Sequence, residues 1–265
     1  MASDLFLIAL GDGLLELAGG DVLILRLGTQ REQVRGGEDR LGADMAEYKI
    51  RGYRDSDYDV VRELFSHGMS EYVPGVCIHV LKQPWVFFVL TCVFLTLLSS
   101  SKSFSLPFMA VVLLLALGRQ LLGYCWSMYI DHCLQEDLQD IQKTYMEGEG
   151  SHFWVVDAEE RIVGTVAAKP SEESGEELIL KRMSVRKDFR GLGIAKALSR
   201  EVIGFARRGG YKAVILNTLM VQVEAKKMYE SVGFKKYLEY VMPTVYGKLI
   251  NFTISKYRYD VFPAS

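Results

Sequence analysis

This chain has no excess of basic charge. Its 265 residues carry 31 Lys and Arg against 33 Asp and Glu, giving a formal net charge of −2 and an isoelectric point near 6.1. No global basic field is present to hold a polyanion, so direct nucleic-acid binding is not expected. Cysteine is scarce. Cys77, Cys92, Cys125 and Cys133 show no CxxC spacing, and two of them lie in apolar runs. Free buried thiols in a reducing setting are expected, not disulfides, and no metal site is expected. A secretory signal is also missing. The apolar segments Leu5–Leu10 and Val22–Leu27 are short, lack a basic leader and are interrupted by Asp4, Asp12, Glu16 and Asp21. Residues 1–44 end in the polar, glycine-rich run Arg31–Gly42 and are expected to be a flexible extension.

Apolar residues are plentiful: 49% of the chain, with a mean hydropathy of +0.11. They concentrate in two runs, Gln83–Ser101 and Leu106–Tyr129, joined by the polar linker SSSKSFS. Crossing a hydrocarbon core of ~30 Å takes about 20 apolar residues, and the first run has roughly 15 between Pro84 and Ser99. The second is long enough but carries Arg119. Two membrane readings stay open. One is a pair of transmembrane helices with Arg119 snorkelling or facing its partner; the other is a re-entrant hairpin. A buried hairpin of a soluble domain is the plain alternative, but so much uninterrupted Phe, Leu and Val is hard to cover in a domain of this size. Trp85, Trp126 and Tyr129 sit near the run ends, as interfacial aromatics do. Either membrane reading returns the chain to the side it left. Residues 45–80 and 131–265 can then form one domain, with 81–130 as the hairpin.

Before the hairpin, Glu47–Arg51 alternates like a strand. A helix follows with Ser56 or Asp57 as N-cap, Tyr58, Val61, Leu64 and Phe65 as its face, and Gly68 as its C-terminal stop. After the hairpin, Asp131–Tyr145 reads as a helix with Leu134, Leu138, Ile141 and Tyr145 inward and Glu136, Asp137 and Lys143 off that face. Strands are expected at His152–Val156, Ile162–Ala168, Leu178–Val185, Tyr211–Thr218, Tyr237–Met242 and Phe252–Tyr259, with a short helix at Glu224–Ser231.

Leu178–Arg208 reads as strand, glycine turn and amphipathic helix. The turn is Arg190-Gly191-Leu192-Gly193-Ile194-Ala195. Small residues let backbone approach a ligand, and a helix start offers unpaired N–H groups and a positive dipole end. The turn therefore reads as an anion site, or, taken alone, merely as a tight strand–helix junction. It is not a Walker A loop, since GK[ST] is absent. Nor is it a Rossmann fingerprint, since the third glycine is absent and no acid ends the next strand.

The series V-x-x-x-x-R-G-x-G-I-A-x-x-L (Val185 to Leu198), then a strand, then A-x-x-M-Y-E-S-V-G-F (Ala225 to Phe234), resembles the acetyl-CoA motifs of the GNAT superfamily of N-acetyltransferases. With the E-Y-x-I-R opening, the Gly68–Pro74 segment G-M-x-E-Y-x-P and the apolar hairpin, the chain from Met45 onward is similar to the camello-like membrane N-acetyltransferases. The resemblance implies an α/β (α+β) fold: a mixed, mostly antiparallel central sheet flanked by helices, with the hairpin inserted. It implies acetyl-CoA as co-substrate and a primary amine as acceptor, either a cysteine S-conjugate or a protein lysine, histone H4 lysines included. It also implies contact with membrane lipid at the endoplasmic reticulum or Golgi.

Residue by residue, the resemblance assigns Met183, Ser184 and Val185 to the pantetheine arm through backbone groups. The pyrophosphate falls to Arg190, Gly191, Leu192, Gly193, Ile194 and Ala195. Tyr229 stands where many members carry the general acid. Where many carry Asn, this chain has Gln222, and Asn217 nearby is a candidate to compensate. Direct transfer needs a proton taken from the amine, a polarised carbonyl and a proton given to sulfur. For the base, Glu177 is the leading carboxylate, with Glu172, Glu173 and Glu176 of the adjacent acidic loop as equals. That loop reads either as a solvated turn or as an attractor for a cationic amine. A membrane-bound scaffold that binds acyl-CoA without turnover is the competing class, and Tyr229 with the full turn weighs against it.

Overall fold

The computed structural model describes residues 48–262, apart from Lys102 and Glu159. The expectations for residues 1–44 and for Glu47 lie outside the described residues. In chain order the elements are β1 (Tyr48–Gly52), α1 (Tyr58–Ser70), α2 (Val73–Leu81), α3 (Pro84–Ser101), α4 (Ser105–Gln135), β2 (His152–Ala158), β3 (Arg161–Pro170), β4 (Glu177–Val185), α5 (Ile194–Arg208), β5 (Ala213–Leu219), α6 (Val223–Val232), β6 (Lys235–Val241), α7 (Val245–Leu249) and β7 (Thr253–Asp260). The strands form one seven-stranded sheet in the order β1-β2-β3-β4-β5-β7-β6. Every pairing is antiparallel except β4 with β5. This is the mixed, mostly antiparallel sheet flanked by helices that the family resemblance implies.

The middle of the sheet is buried on both faces because its strands alternate between two cores, whereas the edge strand β6 is largely exposed. In β2, Trp154 and Val156 point to one side, where Ile194, Leu198 and Val202 of α5 and Tyr229 of α6 pack. Phe153 and Val155 point to the other, against Val61, Leu64 and Phe65 of α1, Ile130 and Cys133 of α4, and Leu138, Ile141 and Tyr145 beyond it. Segments on either side of the apolar hairpin thus share a single core.

Three local expectations are corrected. Gly68 does not stop α1, which runs on to Ser70. A Cβ at Gly68 would lie 2.6 Å from Ser184 Oγ, so glycine serves the close approach of helix to strand. Asp57 stands at the N-cap of α1, one of the two residues expected there, but its side chain makes no cap bond to the helix. Its carboxylate takes a fork from Arg51 at 2.7 and 2.9 Å and the Arg54 amide at 2.9 Å. Asp131–Tyr145 is not one helix. The backbone leaves the helical region at Glu136, and Asp137 turns inward and is buried. The cysteines are free, as expected, but only Cys133 is fully buried; Cys92 and Cys125 are exposed on the hairpin.

α3 and α4 are long and apolar enough to cross a membrane by length and composition. No side chain of α3 is buried, and Phe87 and Phe88 are 71% and 68% exposed. Burying a Phe or Leu stabilises by about 1.5–3 kcal/mol, and these side chains gain none of it from the protein.

Candidate active site

β4 and β5 start side by side and then part. They pair only at Glu177, Leu178 and Ile179 with Ala213, Val214 and Ile215. β5 stays paired with β7 as far as Leu219, and β4 stays with β3 as far as Val185. The gap between them therefore opens toward their C-terminal ends. Its cause lies in β4, where Lys181 pairs with Ala167 and Ser184 with Thr165. Two residues, Arg182 and Met183, oppose the single Val166 in this bulge. Arg182 has φ +53°, an uncommon left-handed conformation for a side chain of its size. Met183, Ser184 and Val185 follow at the open end of the gap, and Ser184 Oγ turns to α1 and donates to the Leu64 carbonyl at 3.2 Å.

The predicted turn lies at the open end. Gly191 and Gly193 have φ of +81° and +82°, and no atom would meet a Cβ within 4 Å at either. Gly193 caps α5 without a side-chain bond, and the first intrahelical bond runs from the Ala197 amide to the Gly193 carbonyl at 3.0 Å. The amides of Ile194, Ala195 and Lys196 thus precede the helical ladder and have no intrahelical acceptor. Ile194 is seated by Gly164 of β3, whose missing Cβ would meet Ile194 Cγ2 at 3.2 Å. A 15-residue helix with its first turn open and glycine on either side of Leu192 is suited to an anion. Arg190 does other work. Its amide donates to the Lys187 carbonyl at 3.3 Å, and Nε donates to the Val185 carbonyl at 2.9 Å. Its Nη atoms fork onto the Glu71 carboxylate at 2.6 and 3.0 Å. The arginine ties the turn to the end of β4 and to the α1–α2 junction.

Tyr229 lies on α6, which starts at the C-terminal end of β5. Its ring is 6% exposed and meets Phe234 edge-on at 5.6 Å. Burial, then the neighbouring Tyr72 phenol, pushes its own phenol well above the ordinary tyrosine range. Its proton is therefore held at neutral pH. Tyr72 is raised too, by burial, against the lowering effect of Arg190. Gln222 Oε1 accepts from Thr218 Oγ1 at 3.0 Å and the Leu219 amide at 2.9 Å, so its oxygen braces the β5–α6 turn. Asn217 is exposed on β5 opposite Lys256. The structure thus gathers the Arg190–Ala195 turn, Met183–Val185, Gln222 and Tyr229 around the open end.

Glu177 is not brought there. It stands at the closed end, where β4 and β5 are paired, and its carboxylate accepts from Arg258 of β7. The acidic loop is likewise engaged by lysines: Glu172 with Lys169 at 3.0 Å, Glu173 with Lys256 at 3.8 Å and Glu176 with Lys212 at 2.6 Å. A cationic amine would find little uncompensated charge there.

Sequence reasoning missed Glu71, Tyr72, Asp137 and Arg182. Lys181-Arg182 inside an otherwise apolar strand was the available signal, because buried cations require a carboxylate partner.

A parallel pair of strands opening toward a glycine-flanked helix start fits a long thioester carrying a pyrophosphate. The comparisons agree. Residues 119–234 match the Acetyltransferase (GNAT) family. This is therefore an acetyl-CoA-dependent acetyltransferase of GNAT type. The chain is 38% identical to the Xenopus laevis protein named Probable N-acetyltransferase camello over 217 residues, covering 82% of this chain and 99% of that one. It is 38% identical to Mus musculus N-acetyltransferase 8F1 over 224 residues, 83% of this chain and 100% of the relative. It is 41% identical to Rattus norvegicus N-acetyltransferase 8 over 195 residues, 72% and 88% of the two chains. The chain belongs to the camello and N-acetyltransferase 8 family.

Proposed function

We propose that this chain is a membrane-anchored N-acetyltransferase in which Tyr229 donates the proton that the departing thiol requires. The observation that carries the reading is the buried phenol of Tyr229 on α6, the helix that starts where the β4–β5 gap opens; its burial favours the protonated form. The amine nitrogen bonds to the acetyl carbon, the carbon–sulfur bond breaks, and the sulfur takes the Tyr229 proton. The proton released by the amine returns the phenol to its starting state, so atoms and charge balance. Met183, Ser184 and Val185 bind the arm of the co-substrate. Gly191, Leu192, Gly193, Ile194 and Ala195 hold its pyrophosphate, and Arg190 braces that turn. Replacing Tyr229 by Phe keeps the ring packing and removes the proton. It is expected to lower kcat by about 100-fold or more while acetyl-CoA binding persists; a wild-type rate would sink the assignment.

For the acceptor we propose a primary amine on an amphiphilic molecule, a cysteine S-conjugate or a lysine of a membrane protein, rather than a chromatin tail. Support comes from the apolar hairpin and from its contacts with α1, α7 and Phe252 just before β7. Trp85 Nε1, at the start of α3, donates to the Leu249 carbonyl of α7 at 3.1 Å. Trp126 of α4 donates to the Met69 carbonyl at 2.9 Å and meets Phe252 edge-on. Both tryptophans lie at the end of the hairpin that touches the enzyme body, as an interfacial pair would. α3 is about 27 Å long, near the thickness of a hydrocarbon core. Arg119 is exposed on α4, a disposition that suits snorkelling. We place residues 45–80 and 131–265 in one catalytic body and 81–130 in an endoplasmic reticulum or Golgi membrane. Carbonate washing should leave the protein in the membrane pellet, and release into the supernatant would refute the anchor. Acetyl-CoA-coupled turnover of S-benzyl-cysteine, a lysine peptide and an H4 tail tests the acceptor. Preference for the H4 tail would overturn the amphiphilic reading.

A further inference from the structure

We propose that Asp137 and Arg182 form a buried positioning clamp that holds the β4–β5 gap open, and that through Asp137 the second apolar helix sets the geometry of that gap. The inference rests on the gap receiving the arm of acetyl-CoA.

The clamp centres on the one residue of β4 in the left-handed region. Arg182 Nε and Nη2 donate to the two oxygens of Asp137 at 2.9 and 2.5 Å, with side-chain exposures of 7% and 6%. The guanidinium carbon sits 4.9 Å from the centre of the Phe65 ring. Thr165 Oγ1 donates to the Arg182 carbonyl at 3.1 Å. Asp137 also accepts from the buried Tyr145 hydroxyl and lies 3.5 Å from Lys181 Nζ. Side chain and carbonyl of the strained residue are thus both held from outside the strand. A regular β4 would carry Met183–Val185 on alongside β5, which stays straight and paired with β7 through Leu219. The bulge turns them away instead. Fixing the bulge therefore fixes the wall that the arm must bind.

The carboxylate arrives from an unexpected direction. Asp137 lies two residues past the end of α4, the second apolar helix. Arg62 of α1 pins this junction, its Nη1 donating to the carbonyls of Leu134 at 2.6 Å and Leu138 at 2.5 Å. Ile130 and Cys133 of the same helix are buried in the core beside Leu138 and Tyr145. A change in tilt or depth of α4 would thus be carried to Asp137 and on to the gap. A buried ion pair kept only for core stability would need none of this placement next to Met183.

The test compares two ligands on the full chain in detergent by titration calorimetry. Acetyl-CoA engages both the turn and the β4 wall, whereas 3′-phospho-ADP carries the pyrophosphate without the arm and engages the turn alone. The Asp137→Asn/Arg182→Gln double variant removes both charges of the fork together, leaving Lys181 as the cation that loses its carboxylate, and the amide still accepts from Tyr145. Its acetyl-CoA affinity is expected to fall about 10-fold and its 3′-phospho-ADP affinity to stay within about two-fold. Arg182→Lys keeps the charge but loses the fork, and should show the same selective loss in milder form. Unchanged acetyl-CoA affinity in either folded variant overturns the proposal. So does an equal loss for both ligands, which is general loosening. Failure of the wild-type protein to bind acetyl-CoA at all would instead remove the reading beneath it. In wild-type protein reconstituted into phosphatidylcholine vesicles of short and long acyl chains, acetyl-CoA affinity should vary with thickness. Constancy across thickness would refute the link to α4.

Discussion

Replacing Gly193 by Ala separates the cost of a backbone conformation from the cost of a blocked ligand. Gly193 has φ +82°, and a Cβ there meets nothing within 4 Å. Gly210, past the far end of α5, has φ +75° and equally open space. Each substitution forces an L side chain into the left-handed region, at about 1–2 kcal/mol. For a chain of this size that lowers Tm by roughly 2–8 °C in both variants. The two should differ in ligand binding. At Gly193 the new methyl projects beside the open amides of Ile194 and Ala195, where the pyrophosphate is proposed to sit. Loss of one charge-assisted hydrogen bond costs about 1.5–3 kcal/mol, or roughly 10- to 100-fold in affinity. Gly210→Ala should leave acetyl-CoA affinity unchanged. Thermal denaturation and titration calorimetry on the two variants provide the assay. Equal acetyl-CoA affinity in both, with the expected equal loss of Tm, would show that the space at Gly193 is not the ligand's and would refute the anion cradle.

Three further outcomes follow from the packing. His152 is held neutral by burial, then by the charge of Arg208, with its pKa lowered to about 4 from the ordinary 6.5. The unfolded chain takes up this proton below 6.5 and the folded one only near 4. Stability is thus full above pH 6.5 and falls by up to about 3 kcal/mol as the pH drops toward 4. His152→Gln should flatten that limb in denaturant titrations, and an unchanged slope would refute it. Gly68→Ala puts a Cβ 2.6 Å from Ser184 Oγ and should cost about 1–3 kcal/mol, recovered in part by adding Ser184→Ala; an additive double variant would argue against the contact. Cys92 is exposed midway along α3, so a membrane-impermeant maleimide should label it only after detergent is added. Labelling in intact vesicles would place α3 in water.

Legibility along the chain followed locality. The turn was readable because its anion-binding capacity comes from residues contiguous in sequence, two glycines and a helix start, whereas the seat that Gly164 gives Ile194 is a tertiary contact. β2, β3 and β5 were readable because both their faces are buried, so they run nearly apolar throughout. Gly68 was misread because a glycine near a helix end suits a left-handed stop as well as a close approach, and only the position of Ser184 distinguishes them. The end of the β4–β5 gap at which Glu177 falls was not readable, because it depends on where β4 bends.

That bend lies at Arg182, and its partner is 45 residues away in sequence. On a helical projection of Asp131–Tyr145, Asp137 falls on the polar face, because the projection assumes an unbroken helix. The break at Glu136 reverses its direction and makes it the counter-charge of the core. Burial opposes its ionisation, yet Arg182, Lys181 and the Tyr145 hydroxyl outweigh burial and hold its pKa down to about 2. An ionised carboxylate at that depth cannot be exchanged for a neutral side chain without leaving Arg182 alone, at about 3–5 kcal/mol. The ion pair and the left-handed residue therefore constrain one another. The charge pair fixes the strand where a side chain would otherwise leave φ +53°, and the strand's turn buries the pair. A local reading of either segment sees a solvated acid and a stray arginine, whereas together they account for the opening of the sheet.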